Sequence, residues 1–139
     1  MNVLVDTSVW FLALRRTASN LSALEKAIVA ELTALIDESG AKIIGLIRQE
    51  LLSGIKSTEQ SAKLREILSA FPDEPAFSED YERAALFSNK CRSRGVAVSV
   101  SDMLICSVAP SRAWPIFSTD PDFKRYARIL PIRIHAPRK

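Results

Sequence analysis

The sequence predicts a three-layer α/β fold with a mostly parallel central sheet, in a single domain spanning residues 1–139. Three observations carry that expectation. Val3-Leu4-Val5 is an unbroken aliphatic run, the pattern of a strand buried on both faces rather than of an alternating edge strand. Short strand patterns alternate with helical ones along the chain, the order that strand-helix-strand crossovers produce. Asp6 and Asp120 directly follow apolar strands and Asp102 opens a helix. In open parallel sheets the segments after strands emerge at one edge, where ligands bind.

The first strand leads into a short helix expected from Ser8 to Leu14, then a polar turn through Asn20. Ser22-Ala23-Leu24-Glu25 is a capping box, opening a helix to about Ser39 whose apolar face is Leu24, Ile28, Leu32, Leu35 and Ile36, with Gly40 as its stop. Lys42 to Gly45 is a second short strand, and Leu46 to Ser53 a helix carrying Glu50 on or beside its sheet-facing side. A second capping box at Ser57 to Gln60 opens a helix to about Ala70 with Leu64, Ile67 and Leu68, and Pro72 and Pro75 then break the chain. Ala76-Phe77 is a candidate edge strand. Ser78 to Arg94 reads as a long helix with Tyr81, Ala84, Ala85, Phe87 and Ser88 facing the core. Ser101 is a candidate cap for the helix Met103 to Ala109, with Asp102 in its first turn, and Pro110 should end or kink it. Pro115 to Thr119 is a strand, Asp120-Pro121 the N-terminal signature of a helix, and Ile129 to Ile134 a last edge strand interrupted by Pro131.

Composition narrows the function. The chain is long enough to bury a core without disulfides or a structural metal. No apolar run approaches the roughly 20 residues of a membrane span, and no basic segment precedes the first strand, so a cytoplasmic protein is expected. Cys91 and Cys106 lack a C-x-x-C spacing and read as two reduced thiols. His135, the one histidine, lies near the end of the chain, which argues against a Ser-His-Asp triad, a Cys-His pair or a zinc site. The four glycines form no phosphate-cradling motif.

What remains is acid. In a parallel sheet Asp6, Asp102 and Asp120 gather at one mouth, with Glu50 reaching in from its helix and Asp122 as a possible fifth member. Each has an ordinary alternative: Asp6 and Asp120 as helix caps, Asp102 as a first-turn acid, Glu50 and Asp122 as solvated charges. Clustered carboxylates raise one another's pKa, and a divalent cation removes the conflict. An all-oxygen donor set without His or Cys suits Mg²⁺ or Mn²⁺, the arrangement of a phosphodiester-cleaving site. Thr7, Ser8, Ser118 and Thr119 are placed to orient those carboxylates. Setting four acids aside in such a site makes the rest of the surface more basic than the net charge of +3, which favours a polyanionic partner.

Four segments in this order resemble a known family. Val3-Leu4-Val5-Asp6-Thr7-Ser8-Val9-Trp10, Gln49 to Gly54, Gly95 to Cys106 with its Ser101-Asp102-Met103-Leu104-Ile105 core, and Ile116 to Phe123 are similar to the PIN-domain ribonucleases, specifically the VapC-like toxins of type II toxin-antitoxin systems. The resemblance implies a three-layer α/β/α PIN-like fold. It also implies a Mg²⁺- or Mn²⁺-dependent endoribonuclease with Asp6, Glu50, Asp102 and Asp120 as its acidic quartet, and tRNA or rRNA as candidate substrates. A homodimer inhibited by a cognate VapB-type antitoxin is part of the same expectation. Arg15, Arg16, Lys56, Arg92, Arg94, Arg112, Lys124 and Arg125 are candidate RNA-backbone contacts. The alternative of a different class is a catalytically silent PIN-like module that binds RNA or a protein partner, whose mark would be loss of one or more of the acids. A receiver-type phosphoacceptor domain fits poorly, because Asp6 lacks an acidic neighbour.

Overall fold

Val3, Leu4 and Val5 have no solvent exposure and form β1 (Val3–Val5), the centre of the sheet, as an aliphatic strand with no polar face must be. The structure, a computed structural model, describes residues 1–138. On one side β1 pairs in parallel with β2 (Ala41–Lys42), Val3 against Ala41; on the other it pairs in parallel with β3 (Ile116–Phe117), Val5 against Phe117. The order is β2-β1-β3. Single bridges extend both edges, Ile43 to Asp73 and Ile116 to Ile134.

The helices are α1 (Thr7–Leu14), α2 (Ala23–Asp37), α3 (Gly45–Leu52), α4 (Thr58–Leu68), α5 (Ser78–Ser93), α6 (Val100–Ser111) and α7 (Asp122–Tyr126), with a 3₁₀ turn at Ala18–Asn20. They cover the sheet as the expected three-layer α/β/α arrangement: α6 lies against β1 and β3 and carries α5 outside it, while α1 packs on α2 and α3. Trp10 is fully buried, its Nε1 donating to Val5 O at 3.0 Å, so α1 is anchored to the strand that precedes it. The first capping box forms as predicted, Ser22 Oγ accepting from Glu25 N and Glu25 Oε1 accepting from Ser22 N.

Several local expectations are corrected. Ser99, not Ser101, caps α6, and the helix passes Pro110 to end at Ser111. Proline there removes one intrahelical N–H bond, and the helix ends one residue later. Ile129 to Ile134 is not a strand: the chain turns back on α7, with Ile129 N and Leu130 N both donating to Tyr126 O, and only residues flanking Ile134 reach β3. Asp73, rather than Ala76-Phe77, meets the other edge. The buried face of α5 holds Asp80, Ala84 and Cys91, leaving Tyr81 and Ala85 exposed. It turns this way because Asp80 is buried as an ion pair, Arg112 Nη1 donating to it at 2.6 Å, which no apolar pattern registers. Leu24 and Ile67 are exposed at the margins of their helices. The left-handed residue ending α2 is Ser39, φ 59°, while Gly40 is required for closeness: a Cβ there would lie 2.0 Å from Met1 O.

Candidate active site

The carboxyl end of β1 delivers Asp6. Its N–H continues the ladder to Phe117 O at 2.8 Å and its own carbonyl accepts from Val9 N and Trp10 N, so the backbone opens α1. The side chain does not cap. Instead Oδ2 accepts from Ser8 Oγ at 2.8 Å and Ser118 Oγ at 2.7 Å, and the residue is 7% exposed.

The same two hydroxyls bind the end of β3. Ser118 Oγ accepts from Asp120 N and Ser8 Oγ from Thr119 N, each at 3.0 Å. Because each serine has one proton to give and lone pairs to receive with, it joins two strand ends at once. Asp120 in turn accepts from Asp122 N at 2.9 Å, but α7 begins one residue later than the Asp-Pro signature predicts, with Pro121 rather than Asp120 at its cap.

Asp102 arrives on the first turn of α6, its N–H donating to Ser99 Oγ at 3.1 Å. Its Oδ2 accepts from the hydroxyl of Tyr126 at 2.9 Å. Burial pushes the Asp102 carboxyl above the ordinary carboxylate range; the Tyr126 hydrogen bond opposes this, and the charges of Asp6 and Asp120 add to it. Tyr126 is buried, which together with Asp102 drives its hydroxyl strongly upward, so it stays a donor.

Asp102, Asp120 and Asp122 each present an oxygen within 4.8 Å of the other two, the one cluster of metal-binding geometry among the described residues. Asp6 stands outside that triangle, linked to it through Ser118 and through its field at Asp102. Glu50, expected toward the sheet, is exposed on α3, where it accepts from the Oγ1 of Thr7, the residue after Asp6, at 2.8 Å. Asp122 also pairs with Arg125 at 3.0 Å. The donor set is wholly oxygen and carries excess negative charge, which fits a hard divalent cation.

Tyr126 is the site residue that sequence reasoning missed. Its only signal was an aromatic with a polar tip one helical turn after Asp122, on a face that had to be buried.

The PIN domain family matches residues 3–129 of the chain. No curated protein sequence matches it. Among solved structures, the chain is similar to FitAcB from Neisseria gonorrhoeae, at 19% identity and TM-score 0.76 over 97% of both chains. It is also similar to VapBC2 from Rickettsia felis bound to a DNA fragment from their promoter, at 18% identity and TM-score 0.73 over 97% of this chain and 98% of that one. A third is VapBC-5 from Mycobacterium tuberculosis, a member of the VapBC family of toxin-antitoxin systems, at 17% identity and TM-score 0.65 over 96% of both.

Proposed function

The chain belongs to the PIN-domain family of nucleases, and on that premise we propose that it is a metal-dependent endoribonuclease, the toxin of a VapBC-type toxin-antitoxin pair. The observation that carries this reading is the mouth itself, where Asp102, Asp120 and Asp122 converge within 4.8 Å while Asp6 and Glu50 flank them. These carboxylates would hold Mg²⁺ or Mn²⁺, which would supply the charge stabilisation that phosphodiester cleavage needs.

The chain's own residues do the positioning. Ser8 and Ser118 both donate to Asp6 Oδ2, which fixes the carboxylate and leaves Oδ1 as its available oxygen. Tyr126 donates to Asp102 Oδ2 and so orients that carboxylate. Thr7 holds Glu50 over the entrance, where an exposed carboxylate can accept a proton from a water or a ribose hydroxyl.

The fold neighbour VapBC-5, described as a member of a family of toxin-antitoxin systems, supports a VapB-type antitoxin as partner, and the proposed working unit is a homodimer. An apolar groove of about 740 Å³ between α3, α5 and α6, bordered by exposed Tyr81 and Val100, supports a protein partner as well. Incubation with total RNA and with single-stranded DNA, in Mn²⁺ or in chelator, tests the activity. Metal-dependent cutting of RNA, absent in Asp102→Asn, is expected. Binding without cutting by both proteins would leave a silent binding module.

A further inference from the structure

A second groove, of about 440 Å³, runs between α1 and the start of α2, and its inner wall is Thr7, which binds Glu50, Ser8, which binds Asp6, and Thr119, whose N–H donates to Ser8. Its outer wall is Phe11 and Leu24, which are 37% and 70% exposed, with Arg16 closing one end. We propose that this groove seats one nucleobase of a single-stranded RNA, the base next to the scissile phosphate, against the ring of Phe11. The proposal rests on the nuclease reading of the carboxylate mouth.

Position, chemistry and charge agree on that occupant. Phe11 stands one helical turn from Thr7 and Ser8 on the same face of α1, so a group resting on its ring is the immediate neighbour of anything held by the carboxylates. An aromatic ring accepts the face of any base, and single-stranded RNA offers unstacked bases next to each phosphate. Two cations flank the ring and the groove: the Arg15 guanidinium sits over one face of Phe11, 5.0 Å from its centroid, which leaves the other face for a base, and Arg16, just beyond α1, lines one end of the groove. The acid in the wall, Glu25, is offset by Arg16, which leaves Arg15 as the surplus cation beside the groove. One of its oxygens is bound in the capping box and the other lies 3.8 Å from Arg16. The larger groove beside α5 and α6 is lined by none of the hydroxyls that bind Asp6 and Glu50.

The test is a binding measurement in chelator, so that nothing is cleaved, using short single-stranded oligoribonucleotides with one abasic position walked along each. Fluorescence anisotropy with the wild type is expected to show a loss of about tenfold in affinity at one position only. Phe11→Ala should lose about tenfold for the intact oligonucleotide and be indifferent to that abasic position. Phe11→Trp should keep both the affinity and the position dependence. Equal binding by wild type and Phe11→Ala, no binding by the wild type, or a loss spread evenly over all positions would each overturn the proposal. So would Phe11→Ala weakening a VapB-type protein partner while leaving RNA untouched, which would make the groove a protein-docking surface. Cleavage of the intact oligonucleotide in Mn²⁺ is scored separately: position-specific binding without cleavage supports the groove and overturns the nuclease reading. Because Phe11 and Leu24 are already exposed, Leu24→Ala provides a second variant that leaves the core intact, with a smaller loss at the same position.

Discussion

The molecule buries carboxylates in two contrasting ways. Asp80 on α5 is 2% exposed and receives Arg112 on both oxygens, Arg83 Nη1 at 3.1 Å and Phe77 N at 2.9 Å. Glu31 on α2 is 3% exposed and is held by Arg138 and, at 2.7 Å, by His135 Nε2. The Arg112 hydrogen bonds hold Asp80 well below the ordinary carboxylate range against its burial. Burial works to raise Glu31, but Arg138 and His135 prevail and bring it down to about 2. At the mouth the balance reverses. Asp102 is raised, since burial and the charges of Asp6 and Asp120 outweigh one tyrosine hydroxyl. Among the described residues, Asp122 is the one acid of the five with an arginine partner. An acid that the fold buries against arginine is part of the scaffold; acids gathered at the mouth with at most one exposed arginine among them await a cation from outside.

That contrast can be broken at its strongest point by Asp102→Asn. Neutralising a raised carboxyl removes repulsion while its amide oxygen still accepts from Tyr126. Cleavage is expected to fall at least about 100-fold, and the melting temperature to rise rather than fall. A lowered melting temperature would place Asp102 with the scaffold acids. Asp6→Asn should likewise abolish cleavage with the fold intact, measured by circular dichroism alongside activity.

Asp80→Asn should do the opposite. It strands Arg112 in the protein and costs about 3 kcal/mol of stability by chemical denaturation, with activity per folded molecule unchanged. Tyr126→Phe is a finer probe, since it removes one hydrogen bond and no bulk. Mn²⁺ affinity measured by calorimetry should weaken about tenfold, and unchanged affinity would reduce Tyr126 to a packing residue.

The smallest effect is in acid. Glu31 has a folded pKa near 2 against an ordinary 4.5, so the unfolded chain binds more protons between those values. Its contribution to stability is therefore complete above about pH 4.5 and is lost as pH falls toward 2. Glu31→Gln should flatten that part of the stability profile, whereas Asp102→Asn should not.

How far the site could be read in advance differs residue by residue. Asp6, Asp102 and Asp120 were legible because each sits at the end of a strand or the start of a helix whose apolar pattern was clear. Glu50 was legible only as an acid on a helix: its exposure and its bond to Thr7 depend on how α3 rotates against α1. Ser8 and Ser118 were marked as orienting hydroxyls, yet that both meet one oxygen of Asp6 is a distance across 110 residues of chain. The α5 face was misread at Tyr81 and Ala85 for the same reason that Tyr126 was overlooked. In both places a polar atom is buried because a distant partner satisfies it.

By itself the sequence determined the alternation of strands and helices, the burial of β1, the caps of α2 and α4 and the acids available for chemistry, because these depend on local pattern and residue type. Only the tertiary structure decided which acids meet. Asp102, Asp120 and Asp122 form the tight triangle, Asp6 and Glu50 stand beside it through hydroxyls, and Asp80 and Glu31 are withdrawn from chemistry by arginines. The physical reason is that a carboxylate's role is set by the charge within a few ångströms of it. That charge comes from residues the chain brings together only when it folds.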